Sequence, residues 1–215
     1  MNSFFKVRFF MSFIFSVLLS PAAFSQTLKD FFNGDATALY LGIDFTKAKL
    51  IDDPKSEASE IVDRQFEGIN QLVITESKKF DLNAAFHKAN IDHDLGAVTK
   101  RNAKVDANQL MSTNTGDFHR LKEDDINSIA KGFDYGDKKG IGILFVMEAM
   151  SKSGKAAAIW VTLIDMKSKK VLLTERLEEK VGMAKGFRNL WASAIKKLLD
   201  EIEGDRVKEW KKKYV

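Results

Sequence analysis

The tripeptide Asp92-His93-Asp94 combines the residue types that ligate divalent metals or exchange protons. The apolar neighbours Ile91 and Leu95 favour a strand, and adjacent side chains on a strand point to opposite faces. Asp92 and Asp94 would then share one face while His93 lies on the other, so the three cannot bind one ion unless they lie in a loop. The other histidines are scattered and form no spaced ligand set such as HExxH. The sequence therefore predicts no metal site and no cofactor.

Four carboxylates lie on segments with the pattern of strands: Asp44, Glu148, Asp165 and Glu175. A polysaccharide hydrolase needs two such groups about 5 to 9.5 Å apart. Asp44 is the candidate functional acid, because it interrupts an apolar strand and a buried carboxylate needs a partner. The alternative is that Asp44 is a hydrogen-bonded structural acid. Because the chain also has no cysteine and no Gly-x-Ser-x-Gly elbow, we predict no catalytic residues.

The segment from Gly136 to Gly142 is rich in glycine and lysine, as phosphate-binding loops are. A phosphate loop follows a strand and opens a helix. This segment instead follows a predicted helix and opens a predicted strand. The sequence therefore favours a flexible connection here.

The C-terminal segment carries Trp210 and Tyr214 between lysines, a pattern that predicts a partner-binding patch or, alternatively, a solvated helix end.

Loss of an N-terminal leader with Lys6 and Arg8 takes the basic residues from 34 to 32 against 30 acidic ones, a net charge of +2. Such a small charge argues against a nucleic-acid partner.

The N-terminus has the three regions of a secretory signal peptide. Lys6 and Arg8 precede an apolar run over residues 9–19, and small residues lead to a cleavage site between Ser25 and Gln26. The alternative, a retained membrane anchor, would need about 20 apolar residues. We predict that residues 1–25 are removed, and that the mature protein is periplasmic or secreted, without stable membrane insertion. With no cysteine near Gln26, we also predict a soluble protein that is not a lipoprotein.

Hydrophobic periodicity predicts an α+β domain over residues 26–203, followed by a charged tail over residues 204–215. The sheet is predicted to be mixed and largely antiparallel, with four or five strands. An antiparallel meander should form its C-terminal half, and residues 98–117 show no clear period. The predicted strands are 38–46, 91–97, 141–147, 156–165 and 171–178, and the predicted helices are 53–72, 77–89, 122–133 and 187–202.

The order of these elements resembles that of a group of Gram-negative envelope domains. The group includes the TolB amino-terminal domain, the curli secretion pore subunit and the lipoprotein activators of penicillin-binding proteins. The segments that carry the resemblance are ALYLGIDFT, IGILFVMEAM and the hairpin VTLIDMKSKKVLLTE. The present chain lacks the lipid-bearing cysteine and the usual glycine of that hairpin turn, so anchoring and pore formation do not carry over. The resemblance implies a binding or scaffold domain without catalysis.

These observations predict an exported envelope protein that acts as a non-catalytic binding or accessory module. Its partner would be an envelope protein or a glycan. The alternative is a hydrolase of polysaccharide or peptidoglycan that uses Asp44 and a second strand carboxylate as acid and base.

Overall fold

The computed structural model describes residues 25–34 and 36–215. The predicted signal peptide lies outside this range except for Ser25, so its removal stays a prediction. Within the described residues, seven strands form one sheet. The strands are β1 (Ala38–Asp44), β2 (Lys49–Ile51), β3 (Asp92–His93), β4 (Met111–Ser112), β5 (Ile141–Ser151), β6 (Ala156–Asp165) and β7 (Lys170–Lys180). The long strands β1, β5 and β6 are almost entirely buried.

The central strand is β5, and every one of its residues is buried. On one side, its first half pairs in parallel with β1 and its last residues pair in parallel with β2. The short strands β3 and β4 continue those two pairings outward, also in parallel. On the other side, β5 pairs antiparallel with β6, and β6 with β7. The sheet thus joins a parallel half to an antiparallel meander.

The α+β class and the meander agree with the sequence analysis. The prediction of a largely antiparallel sheet of four or five strands is wrong. The described chain has seven strands, and four of their six pairings are parallel. Periodicity identifies a buried strand but not its partner or direction, and strands of two or three residues are too short to show a period.

The helices cover the sheet and close the ends of its strands. The helix predicted over residues 77–89 is limited to Leu82–Ala85, since Asp81 caps its start and the chain has left helical geometry by His87, whose φ is 52°. The strand predicted over residues 91–97 is limited to Asp92–His93, and a helix follows it. The α-helices are α1 (Leu28–Asn33), α2 (Ala58–Glu60), α3 (Phe66–Thr75), α4 (Leu82–Ala85), α5 (Gly96–Asn102), α6 (Glu123–Lys131), α7 (Phe187–Glu201) and α8 (Val207–Tyr214).

The helix α7 packs its apolar stripe on the sheet and buries Trp191, Ile195 and Leu198 completely. A π-helical turn, Ile202–Arg206, carries the chain from α7 directly into α8. The predicted boundary at residue 204 therefore falls inside one helical run. Among the described residues, no helix combines the length and hydropathy needed to cross a bilayer.

Candidate functional site

A cavity of about 670 Å³ lies between the turn from β5 to β6 and the loop from β7 to α7. We call it the loop pocket. Its accessible apolar walls come from Val181 and Leu190, and Met183 projects beside them with a fully exposed side chain. Trp191 also borders the cavity but is completely buried. This volume is in the range of pockets that bind small ligands or single anchoring side chains.

Three lysines line the same cavity: Lys152 and Lys155 from the β5–β6 turn, and Lys185 from the loop. Lys152 lies 3.8 Å from the Asp53 carboxylate. For Lys155 and Lys185, no carboxylate of the described chain is within ion-pair distance. The lining contains no acidic residue, and its polar side chains are those of Ser151 and the three lysines, so the charge at the loop pocket is positive.

Local backbone contacts position the loop that closes the cavity. The Gly182 amide donates to the Ser193 hydroxyl at 2.7 Å, which ties the loop to α7. Gly186 precedes α7 with a φ of 81°, in the region that favours glycine. No side chain caps the first turn of α7, and that turn contains no acidic residue. The Trp191 indole N–H is also buried without an acceptor in the described chain.

Asp44, the candidate functional acid, is completely buried at the end of β1. Its Oδ2 accepts from Arg101 Nε at 2.6 Å, and its Oδ1 accepts from the backbone amide and hydroxyl of Thr46. Both oxygens therefore hold partners. These contacts tie the end of β1 to the chain that follows it and to α5.

Glu148 is likewise completely buried, at a bulge of β5. Arg176 on β7 donates to it at 2.6 Å, Trp160 donates at 3.1 Å, and the Leu121 amide donates at 2.6 Å. The Arg176 side chain is itself 19% exposed. Glu148 therefore ties the meander to the segment that leads into α6.

The two aromatic residues proposed for partner binding lie in different environments. Trp210 is 2% exposed, stacks on Phe86 and donates its indole N–H to Glu175. Tyr214 is 40% exposed at the end of α8. Partner binding by this pair stays a prediction, and only Tyr214 has the surface position that it requires.

A pair of carboxyl groups lies between β7 and α7. Glu179 is only 8% exposed, and its Oε1 has no hydrogen-bond partner in the described chain. Burial, together with hydrogen bonding to Glu201 and its like charge, raises the pKa of Glu179 to about 8. Hydrogen bonding to Glu179 and to Arg206 lowers the pKa of Glu201. These opposite shifts are those of a carboxyl pair that holds one proton at neutral pH.

The Asp92-His93-Asp94 segment matches the predicted strand only at its start. Asp92 and His93 are exposed on β3, whereas Asp94 accepts from the Gly96 amide at 2.8 Å and pairs with Lys138 at 2.9 Å. These two contacts lower the pKa of Asp94. Within residues 25–34 and 36–215, no group of three or more potential ligands is arranged to hold a metal ion.

Asp165 and the glycine-rich segment take local roles. Asp165 begins the β6–β7 turn and accepts from Lys167, Ser168 and Ser25. The segment from residue 136 to residue 142 connects α6 to β5, as its sequence order indicates.

The loop pocket was not found from the sequence, because its lining comes from two separated turns. The residues between β7 and α7 have the composition of an ordinary connecting loop. The only sequence feature that could have indicated a binding surface there is Met183, which lies between Gly182 and Gly186. Its neighbours in space are set by the meander, which brings the β5–β6 turn beside the end of β7.

No known protein family matches the sequence, and no curated protein matches it. Among solved structures, the chain is similar to the lipoprotein GNA1162 from Neisseria meningitidis, at 14% identity and a TM-score of 0.31. The match covers 79% of this chain and 98% of the other. A likeness this distant carries no argument about activity, ligand or partner. The resemblance to the TolB, curli and activator group gains no support from it.

That solved protein is a lipoprotein, contrary to the prediction that the present chain is not one. We correct the prediction accordingly: the description as a soluble protein that is not a lipoprotein is not retained. The proposals below assume neither lipid attachment nor its absence.

Proposed function

We propose that this protein is an exported accessory module of the cell envelope that binds a protein partner through the loop pocket and has no catalytic role. The observation that carries the proposal is the apolar cavity with three lysines in its lining and the exposed side chain of Met183 beside it. Exposed methionine is adaptable and is common at binding surfaces. Export rests on the N-terminal leader described above.

A protein partner fits the cavity better than a glycan does. Sugars are bound by amide and carboxylate side chains that pair with hydroxyl groups, and the loop pocket is lined by none of these. Its walls instead match an apolar side chain, and its lysines match acidic neighbours of that side chain. The occupant that we propose is therefore an acidic protein segment with an apolar anchor.

The hydrolase alternative is not proposed, because its carboxylates are engaged in the fold. Asp44 and Glu148 are both completely buried, and each accepts hydrogen bonds from an arginine and a backbone amide. A general acid or base must reach the substrate atom whose proton it transfers. We propose that Asp44 is a structural acid.

Site-specific photo-cross-linking tests the proposal. A benzophenone amino acid at position 183 is expected to give one defined product in envelope extract, and excess unlabelled protein should compete it away. The same group at the exposed position 208 is the control and should not give that product. The proposal would be contradicted if excess unlabelled protein did not reduce the cross-linked product, or if positions 183 and 208 gave that product in equal amounts.

The captured protein is then purified and its affinity measured by calorimetry. Ala184 lines the cavity and is exposed, so Ala184→Trp fills the loop pocket without disturbing the core. We expect a loss of at least about tenfold in affinity, or about 1.4 kcal/mol. Ala89→Trp, at an exposed position outside the pocket lining, is the matched control and should leave the affinity unchanged. Unchanged affinity of the Ala184→Trp variant would show that the partner binds elsewhere.

A further inference from the structure

A second, smaller cavity of about 170 Å³ lies at the break between β1 and β2. We call it the turn pocket, and it shares no lining residue with the loop pocket. Its volume is below the range of about 300 to 1,000 Å³ of small-molecule sites, so it can enclose one compact group of a ligand. Its polar lining comes from Thr46, Lys47, Lys49, Asp106, Gln109 and Arg120.

Three cationic side chains meet at the turn pocket: Lys47, Lys49 and Arg120. In the part of the chain that the structure describes, no carboxylate lies within ion-pair distance of any of them. Arg120 is half-buried, and its Nη2 donates to the backbone carbonyl of Lys47. The Lys49 ammonium donates to the carbonyl of Gln109. These hydrogen bonds hold two of the cations against the backbone and leave their charges unneutralised.

The charge of the lining sets the charge of a matching ligand. Asp106 is the only acidic residue of the described chain in this lining, and its carboxylate accepts from the backbone and side-chain amides of Asn108. Three cations and one carboxylate of the described chain give the turn pocket a net charge of +2. A carboxylate or a phosphate diester carries a single negative charge, whereas a phosphate monoester carries about 1.5 to 2 at pH 7. The monoester is therefore the better match, and the planar guanidinium of Arg120 suits its oxygens.

We infer that the turn pocket binds the phosphate group of a phosphate monoester. The phosphate oxygens accept from Lys47, Lys49 and Arg120, and the rest of the ligand lies outside the cavity. This site is separate from the loop pocket, so the inference does not rest on the proposed function. A soluble monoester and a membrane lipid with a monoester headgroup present the same group, and the experiment below separates these two sources.

Isothermal titration calorimetry of the full chain with glycerol 3-phosphate tests the inference. We expect one site with a dissociation constant below about 1 mM, and dimethyl phosphate, a diester, should bind at least about tenfold more weakly. The second ionisation of a phosphate monoester has a pKa of about 6, so the affinity should fall at least about threefold between pH 7.5 and pH 5. Sulfate keeps two negative charges over this range, and its affinity should change less than about twofold.

Variants of the cationic side chains show whether the turn pocket is the site. Lys47→Gln alters an exposed side chain, and together with Lys49→Gln it should weaken glycerol 3-phosphate at least about tenfold. Arg120→Lys keeps the charge but loses the planar fork, and a loss of at least about threefold is expected. Lys104→Gln removes an exposed lysine near the cavity in sequence but outside its lining, and should change the affinity less than about twofold. The melting temperature without ligand shows that each variant is folded.

Co-sedimentation with vesicles identifies the source of the phosphate. Phosphatidic acid carries a phosphate monoester and phosphatidylglycerol a diester. Binding to phosphatidic acid vesicles alone, reduced in the Lys47→Gln variant, would support a lipid ligand, and binding of glycerol 3-phosphate without vesicle binding would support a soluble one. The inference would be overturned if neither ligand bound below about 1 mM, or if both kinds of vesicle bound equally. It would also fail if the folded Lys47→Gln, Lys49→Gln double variant kept the wild-type affinity.

Discussion

Replacing Glu179 by glutamine should remove a pH dependence of stability that the wild-type protein carries. Glu179 is 8% exposed on β7 and shares a proton with Glu201 on α7. An amide at this position can still donate to the Glu201 carboxylate, but it cannot ionise. The substitution therefore separates the hydrogen bond, which it keeps, from the titration, which it abolishes.

The sign of the effect follows from the direction of the shift. The pKa of Glu179 is raised in the folded protein to about 8 from an ordinary value of 4.5. Between these two pH values the unfolded chain has released a proton that the folded chain still holds, so stability falls as pH rises. The contribution of Glu179 is fully present below about pH 4.5 and is lost as the pH rises through about 8.

The two pKa values of Glu179 also set the magnitude. They differ by 3.5 pH units, from 4.5 to 8, which corresponds to an upper limit of about 5 kcal/mol at 1.36 kcal/mol per unit. The lowered pKa of Glu201 acts in the opposite direction, but only below about pH 4.5, where the unfolded chain takes up a proton that the folded chain does not. The interval from about pH 5 to pH 9 covers about three of these units, so we expect the wild type to lose up to about 4 kcal/mol of unfolding free energy there.

Urea unfolding followed by tryptophan fluorescence measures this loss across the pH range. The Glu179→Gln variant should lose less than about 1 kcal/mol over the same interval, and at pH 9 it should be the more stable protein. Glu203→Gln replaces an exposed carboxylate of the neighbouring π-helical turn and should follow the wild type. A Glu179→Gln curve that runs parallel to the wild-type curve would refute the assignment of the shared proton.

Three further predictions concern the core. Trp210→Ala should cost about 3 to 5 kcal/mol of unfolding free energy in urea titrations, because the indole is buried, whereas Tyr214→Ala should cost less than about 1. Deleting residues 204–215 removes the buried Trp210 and should therefore lower the melting temperature strongly. A truncated protein with an unchanged melting temperature would contradict the packing of α8. Arg176→Met leaves the buried Glu148 carboxylate without its cation and should cost about 3 to 5 kcal/mol. Glu148→Gln in the same chain should restore part of that loss in urea titrations, and an additive double variant would disprove their coupling.

The long elements could be read from the sequence because their patterns are local. The strand β5 is apolar on both faces, and α7 repeats its apolar residues at intervals of three and four over its whole length. Short turns also force β5, β6 and β7 into antiparallel neighbours, since a connection of a few residues permits little else. The meander and the helix that packs on it were predicted for these reasons.

The parallel half of the sheet and the candidate site required the tertiary structure. The strand β1 pairs with β5 across nearly a hundred intervening residues, and no local pattern states which distant strand is the partner. A strand pattern also cannot show that Arg101, 57 residues away, donates to the Asp44 carboxylate. The loop pocket likewise depends on two turns that meet only after the sheet has formed. Periodicity records which face of an element is buried, whereas the identity of the neighbour is decided by the packing of the whole chain.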